Sequence, residues 1–269
     1  WIGLITLYHL IFVVKIKNNM KICILGNSLT ALTLAKTLVN LKINVDVLYL
    51  NKNLDLSTSR TIGISKSNID FFNKKIININ SLLWKLKKIE IFSDNFNREK
   101  LIEFEKDNEQ IFSIIQNHKL YKILKNTLSK NKFYHSKIFD YKNSLFTNNY
   151  DLVINSEPFN KITKKHFSKK IIKKYNSIAH TTIIKHDKIK NDIALQIFTK
   201  YGPLAFLPIS NNETSIVFSL HKNKNQKKIN IEELIKDKNF RYNIKSTDKF
   251  QSFELQSLSL RSYYHNNIL

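Results

Sequence analysis

The chain has 269 residues, of which 42% are hydrophobic, so it is long enough and apolar enough to fold around a sizeable core. This composition excludes an intrinsically disordered chain. Lysine and arginine number 44 against 21 aspartate and glutamate, which gives a formal net charge of +23. The single cysteine excludes a disulfide within the chain and favours a reducing compartment.

The basic charge has two interpretations. A nucleic-acid or anionic membrane partner would account for it. A compositional drift towards Lys, Asn and Ile accounts for it as well, and we favour the drift because Arg, which nucleic-acid recognition prefers, is rare here. The lysines are spread along the chain, and only residues 164–174 and 221–228 are dense in them. We therefore expect no nucleic-acid partner.

The first residues of the chain are apolar but have neither the charged start of a signal peptide nor the length of a membrane span. The only methionine is Met20, and a strand pattern begins directly after it. We expect residues 1–19 to be a non-native extension, and a membrane-surface anchor is the alternative.

The stretch Lys21–Ala35, KICILGNSLTALTLA, has the pattern of a buried strand, a tight turn and a helix. A continuous apolar run ends at Gly26, and apolar residues then recur at helical spacing. The alternating stretch Asn44–Leu50 predicts a second strand. Together these pieces form a βαβ unit of the length that begins a dinucleotide-binding domain.

In such a unit, three small residues let the chain turn sharply, approach a diphosphate and pack the helix on the strand. Here Gly26, Ser28 and Ala31 hold these positions, and the helix N-terminus would offer N–H groups to the phosphates. The acidic residue that would hold a ribose is missing, because Tyr49 ends the second strand. The motif alone leaves open a nucleotide site and a plain βαβ scaffold.

Further along the chain, short apolar or amphipathic runs predict more elements. From Asn176 four strand-like runs follow one another without helices, which favours a mostly antiparallel sheet. The other predicted elements are a helix start at Ser67–Phe72, a strand at the end of the segment Trp84–Ser93, a helix at Asn117–Leu128, a strand at Leu152–Ile154, a helix at Ile231–Lys236 and a last strand at Glu254–Leu260.

Six stretches, in order and at similar spacing, resemble the FAD-dependent aromatic hydroxylases of ubiquinone biosynthesis, close to the para-hydroxybenzoate hydroxylase fold. They span Met20 to Leu269, and GPLAFLPI with its preceding strand is the most specific of them. The stretches are ICILGNSLTALTLAKTL, SRTIGISKSNIDFF, KKIEIFSDN, IIQNHKLYKILKNTL, YDLVINSE and IFTKYGPLAFLPI.

The resemblance implies an α/β fold, with a Rossmann-like FAD-binding βαβ domain and a mostly antiparallel β-sheet substrate domain. The FAD-binding domain would be discontinuous, over residues 20–80 and 100–160. The substrate sheet would take residues 81–99 and 170–260.

The implied activity is that of a monooxygenase. NAD(P)H would reduce FAD, and O₂ would then hydroxylate an aromatic ring of a polyprenyl phenol, a lipophilic ubiquinone precursor. The cofactor carries this chemistry, so no catalytic side chain is expected. No metal site is expected either, because the histidines lack paired ligand spacing and there is only one cysteine. The expected location is the cytoplasm, with peripheral contact at the inner membrane and a quinone-biosynthesis complex as further partners.

The resemblance also assigns site residues. Arg60 matches an arginine near FAD, and the alternative is an ordinary surface Arg. Gln116 matches a residue that reaches the ribityl chain, and the alternative is a polar helix N-terminus. The full set is Gly26, Ser28, Leu29, Ala31, Arg60 and Gln116 for FAD, and Leu204, Phe206 and Pro208 for the substrate, where plain core is the alternative.

The chain departs from the family pattern at three places. Glu157-Pro158 stands where the family has Asp-Gly, and proline cannot form the usual glycine turn. Tyr49 replaces the acidic ribose residue, and the family's Gly-Asp flavin motif would come only after Leu269. These departures predict either a piece of a longer enzyme or a decayed, non-catalytic relative kept as a subunit of a quinone-biosynthesis complex.

Overall fold

A computed structural model describes residues 20–50, 57–94, 99–106, 109–139, 144–222 and 229–269. The expected extension at residues 1–19 lies outside the described residues, and so does most of the basic stretch 221–228.

The strands within the described residues fall into three sheets. In chain order they are β1 (Lys21–Leu25), β2 (Asn44–Tyr49), β3 (Thr61–Ser65), β4 (Trp84–Leu86), β5 (Lys88–Ser93), β6 (Lys100–Glu105), β7 (Phe112–Gln116), β8 (Tyr134–Ile138), β9 (Leu152–Asn155), β10 (Lys170–His186), β11 (Ile193–Thr199), β12 (Gly202–Pro208), β13 (Glu213–His221), β14 (Ile244–Thr247) and β15 (Gln251–Leu260).

The helices are short, and most of them flank the strands of the first half of the chain. The α-helices are α1 (Leu29–Asn40), α2 (Lys66–Phe71), α3 (Asn117–Leu128), α4 (Lys161–His166) and α5 (Ile231–Lys238). A π-helix (Phe72–Ile76) continues α2, and 3₁₀ turns cover Asn80–Leu82 and Ser144–Asn149.

The parallel sheet has the strand order β8-β2-β1-β9. Its outer edge at β9 is extended by the last residues of the described chain. Ile268 forms a parallel bridge with Val153, and the N–H of Leu269 donates to the Val153 carbonyl at 2.8 Å. After β15 the described chain therefore returns to the edge of the parallel sheet.

The parallel sheet is buried on both faces, as its continuous apolar strands predict. Ile22 and Ile24 of β1 share one core with α1 and α3. Cys23 and Leu25 point to the other face and pack against Val153. Burial raises the pKa of the Cys23 thiol to about 12, so this cysteine behaves as a small apolar residue.

The largest sheet is mixed. Its strand order is β14-β10-β13-β12-β11-β5-β6, and β15 also pairs with β10. All neighbours are antiparallel except β11 and β5, which are parallel, with Ile193 opposite Lys88. One face is covered by α5, which contributes Ile235 to the core. A third, antiparallel sheet, β3-β7-β4, lies against the other face through a cluster that contains Leu86 and Ile183.

The expected fold class is confirmed: a parallel βαβ sheet stands beside a mostly antiparallel one. The structure differs from the sequence prediction in details. β10 begins at Lys170 and not near Asn176, and β7 precedes the predicted helix at Asn117. β6 pairs with β5 in the large sheet, although the expected boundary assigned residues 100–160 to the FAD-binding domain. No helix in the described ranges is long and apolar enough to cross a membrane.

Candidate cofactor-binding site

The turn after β1 is the centre of the candidate site. Gly26 has φ of +104°, which is unfavourable for any residue with a Cβ atom, and its N–H donates to the Leu48 carbonyl at 2.7 Å. A Cβ on Gly26 would lie 2.7 Å from Ser156 Oγ and 2.8 Å from Glu157 Cγ. Only glycine therefore fits this turn, as the sequence predicts for the first position of a phosphate-binding loop.

Helix α1 starts directly at this turn. Ser28 is its N-cap, and the Ser28 hydroxyl accepts a hydrogen bond from the Ala31 N–H at 3.3 Å. Leu29 is the first helical residue and packs against the main core, and Ala31 is fully buried, which lets α1 lie close to the sheet. The predicted positions Gly26, Ser28, Leu29 and Ala31 thus form one turn and helix start, where the helix dipole favours an anion.

The second wall of the turn comes from the segment after β9. The Ser156 N–H and hydroxyl both donate to the Leu25 carbonyl, at 3.0 and 2.6 Å. The Asn155 side-chain oxygen accepts from the Glu157 N–H at 3.2 Å and from the Asn160 amide at 2.8 Å. The turn that follows β9 is therefore held by asparagine side chains, and Pro158 takes an exposed position within that turn.

The Glu157 side chain is half-buried against Gly26. Burial raises its pKa above the ordinary carboxyl value, because the ionised form loses water. The ionised form is therefore less favourable in the folded protein than in water. A carboxylate beside an anion-binding turn also opposes the charge of a diphosphate, since like charges repel.

We expect Glu157→Gln to stabilise the protein at neutral and alkaline pH. The pKa of Glu157 is higher in the folded than in the unfolded protein. The ionised side chain therefore destabilises the fold fully at pH values above the folded pKa. This destabilisation decreases as the pH falls through the folded pKa, and it is absent below the unfolded pKa. The expected gain in Tm is small, on the order of a degree or two. Melting curves across the acidic to neutral range test this. The exposed Glu99→Gln serves as the control, and an equal gain for both variants at every pH would contradict the prediction.

The end of β2 lacks a carboxylate, as the sequence predicts. Tyr49 closes the strand and packs against the main core. The acidic residue of β2, Asp46, is already engaged elsewhere: its carboxylate accepts from the Tyr150 hydroxyl at 2.7 Å and lies 3.3 Å from Lys21 Nζ. A ribose at the end of β2 would therefore meet a tyrosine and not an acid.

Arg60 directly precedes β3, and Gln116 ends the neighbouring strand β7. Gln116 is buried at the end of β7, opposite Thr61 of β3, and the Asn117 N–H donates to the Arg60 carbonyl at 3.0 Å. The Arg60 guanidinium is exposed and lies 4.8 Å from the ring centre of Phe253 on β15. The structure thus brings together two predicted residues that are more than fifty positions apart in the chain.

Two further polar groups lie at the start of α3, and the sequence did not single them out. Asn117 Oδ1 and His118 Nδ1 are buried and have no hydrogen-bond partner among the described residues. Burial, helped by Lys119 and Lys122, lowers the pKa of His118 and favours the neutral ring. Buried polar atoms are almost always paired in folded proteins, so two unpaired ones beside Gln116 indicate a place for a polar ligand.

The predicted substrate residues lie on the covered face of the large sheet. Leu204 is 0% and Phe206 1% exposed, and both pack in the core that includes Ile235 of α5. Pro208 is also buried. Their role in substrate binding stays a prediction, and the observed packing favours the plain-core alternative.

The opposite face of the same strands is more open. One row of residues that pair across neighbouring strands crosses this face. The row consists of Thr181, Val217, Ala205, Gln196, Ile91 and Ile102. Thr181 is buried, and the other five are at least partly exposed. The Thr181 hydroxyl is 2.9 Å from Ser59 Oγ, so the segment before Arg60 lies on this face. The alternation within β12 indicates two faces. α5 covers the face that carries Leu204 and Phe206, and the third sheet covers only part of the other through Leu86 and Ile183.

Comparison with protein-family models finds no match for this sequence, and comparison with curated proteins finds none either. Solved structures do match. They include p-nitrophenol 4-monooxygenase PnpA from Pseudomonas putida, at TM-score 0.70 and 8% identity, with 93% of this chain and 71% of that one covered. Another is 2,6-dihydroxypyridine-3-hydroxylase from Arthrobacter nicotinovorans, at TM-score 0.69 and 12% identity, covering 94% and 76%. A third is a single-substitution variant of HpxO from Klebsiella pneumoniae, complexed with FAD, at TM-score 0.67 and 10% identity, covering 93% and 73%.

These similarities define the fold. The chain has the α/β fold shared by this group of monooxygenases and hydroxylases, and it spans about three quarters of the length of each.

The residues of this chain fit a dinucleotide at the first turn. The left-handed glycine, the capped start of α1 and the unpaired atoms at the start of α3 are the features that a diphosphate and a polar chain would use. The feature that fits less well is Glu157, whose carboxylate borders the turn.

Proposed function

We propose that this protein is a flavin-dependent monooxygenase that binds FAD at the turn after β1 and hydroxylates an aromatic ring. The observation that carries the proposal is the glycine-only turn leading into a capped helix, placed in a fold shared with monooxygenases. The PnpA and 2,6-dihydroxypyridine-3-hydroxylase names describe enzymes that oxygenate a phenol and a pyridine, and HpxO is described with FAD bound.

In this proposal the chain binds the cofactor, orients it and shields it from water. Gly26 allows the diphosphate to approach the backbone, and the first N–H groups of α1 stabilise its charge. Arg60 and Gln116, with the unpaired polar atoms of Asn117 and His118, hold the remainder of the cofactor. When bound, flavin supplies the redox chemistry between NAD(P)H, O₂ and the ring.

The substrate would lie on the open face of the large sheet. Val217, Ala205 and Ile91 offer an apolar surface there, and Gln196 a polar group within the same row. A planar, lipophilic phenol suits such a surface, because small apolar side chains leave room for a ring. We extend the proposal to a polyprenyl phenol on the way to ubiquinone, with the protein acting in the cytoplasm at the surface of the inner membrane.

A spectroscopic titration tests the proposal. The purified full-length protein should take up FAD, turn yellow and oxidise NADH or NADPH faster in the presence of a polyprenyl phenol, whose mass should rise by one oxygen atom. Comparing short and prenylated phenols tests the lipophilic substrate separately from the activity. A colourless protein that takes up no FAD would contradict the proposal.

A second function is favoured by two observations. Glu157 places a carboxylate against the phosphate turn, and Tyr49 stands where the ribose acid is expected. Both motivate a non-catalytic subunit of a quinone-biosynthesis complex. This alternative predicts stable co-purification with other proteins of that complex and no NAD(P)H oxidation, and measurable turnover would exclude it.

A further inference from the structure

The dense basic stretch that begins near residue 164 takes part in an exposed two-stranded ribbon. The first residues of β10 pair with β15 alone among the described strands, beginning with Lys170 opposite Leu260. β10 joins β13 only from Ser177 onward. We call residues 170–175 and 256–260 the ribbon. It projects beyond the large sheet, and the candidate cofactor site does not use it.

The ribbon exposes large apolar side chains. Ile171 is 59% exposed and Tyr175 48%, and strand alternation puts both on the same face. Ile172, on the other face, is 43% exposed. Just beyond the end of β15, Tyr264 is 74% exposed. Single exposed apolar residues are common, but Ile171 and Tyr175 share one face of a small element, and Tyr264 lies just beyond its end. Such a concentration marks an interaction surface.

Lysines lie among these side chains. The ribbon carries Lys170, Lys173 and Lys174, and the sequence has no Asp or Glu from 158 to 186 or from 255 to 269. Among the described residues no ion pair of Lys170 or Lys173 is found; the two instead lie over aromatic rings, 5.7 Å from that of Phe159 and 5.6 Å from that of Tyr175. The ribbon surface therefore combines positive charge from its lysines with exposed apolar side chains.

The nearest acid on β15 does not neutralise this charge. Glu254 lies outside the ribbon and is ion-paired with Lys222 at 2.7 Å. Lys174 adds a smaller favourable interaction with the same carboxylate. At least Lys170 and Lys173 thus remain available to an anionic partner.

The chemistry of this surface selects among anionic partners. Nucleic-acid recognition prefers Arg, and the one arginine in the sequence near the ribbon is Arg261. Isoleucine and tyrosine next to lysine are instead the residues of a lipid–water interface, where tyrosine sits at the headgroups and lysine meets anionic phosphate.

We propose that the ribbon is a docking surface for an anionic phospholipid bilayer. Ile171, Tyr175 and Tyr264 enter the headgroup region, and the ribbon lysines contact lipid phosphates. The inference rests on the ribbon itself and does not need the proposed flavin chemistry.

Vesicle flotation tests this proposal. The full-length protein should float with vesicles of phosphatidylcholine and phosphatidylglycerol, float poorly with phosphatidylcholine alone, and bind less as salt rises. The triple variant Lys170→Gln, Lys173→Gln, Lys174→Gln should lose binding on the order of a hundredfold, because each lysine near an anionic surface contributes severalfold. The double variant Ile171→Ser, Tyr264→Ser should also weaken binding while the charge is unchanged.

A charge-matched control separates the ribbon from the general basic charge. Lys66→Gln, Lys74→Gln, Lys75→Gln removes three exposed lysines near α2 and should float like the wild type. Equal loss in both triple variants would overturn the proposal, and so would full binding by the Ile171, Tyr264 variant. Circular dichroism confirms that each variant is folded. Binding to single-stranded DNA without vesicle binding would also overturn the proposal and assign the ribbon to nucleic acid.

Discussion

Gly26→Ala is expected to destabilise the protein and to abolish FAD binding. The φ of +104° is strained for alanine, which costs about 1–3 kcal/mol, and the added Cβ would meet Ser156 and Glu157 within 2.8 Å. The same methyl group would stand between the backbone and the diphosphate. Urea denaturation measures the first effect, and titration of flavin fluorescence measures the second.

Gly202→Ala is the matched control. Gly202 has φ of +133°, and its Cβ would lie 2.0 Å from the Ser219 carbonyl oxygen, so a comparable or larger loss of stability is expected. Gly202 begins β12, in a different sheet from the phosphate turn. The folded fraction of Gly202→Ala should therefore bind FAD normally. A folded Gly26→Ala protein that binds FAD like the wild type would refute the assignment of the turn.

Phe206→Ala is expected to lower the free energy of unfolding by about 3–5 kcal/mol, as for other large aromatic deletions in cores. Phe206 is 1% exposed and stacks on the Tyr242 ring at 5.9 Å between ring centres, beneath α5. Chemical denaturation measures the loss. A smaller loss is expected for Phe206→Leu, which keeps most of the volume.

The neighbouring position distinguishes packing from substrate binding. Ala205 lies on the open face of the same strand, so Ala205→Phe should alter binding of a phenol while stability changes little. Phe206→Leu should leave the phenol affinity unchanged. If Phe206→Leu instead weakened phenol binding with stability intact, Phe206 would be a substrate residue, as the family resemblance implies.

Local patterns were sufficient for the first turn. The apolar run of β1, the single glycine and the helical spacing of α1 each follow from neighbouring residues, so Gly26, Ser28 and Ala31 could be placed from the sequence. The mostly antiparallel sheet of the second half was also predicted in type, because uninterrupted strand-like runs leave few other arrangements. The three-stranded sheet β3-β7-β4 was not predicted.

Features that depend on distant residues could not be predicted. The first part of β10 is rich in lysine and has little strand signal of its own, and it is extended because β15 pairs with it. β7 ends at Gln116 and α3 begins at the next residue, without a turn between them. In the sequence, the apolar residues of the strand and of the helix therefore look like one continuous pattern. The unpaired atoms of Asn117 and His118 become notable only once burial is known.

The pairing of distant strands has a consequence for synthesis on the ribosome. Lys88 of β5 pairs with Ile193, and Ile22 of β1 pairs with Leu152, so each sheet joins segments made far apart in time. β1 and β2 can pair with each other early, and so can β5 and β6. Until β8, β9 and β11 are made, however, β1, β2 and β5 each keep one unpaired edge. Such edges are prone to wrong pairing, and non-local pairing is slow. The nascent chain therefore has a long period in which a chaperone that shields strand edges would improve its yield.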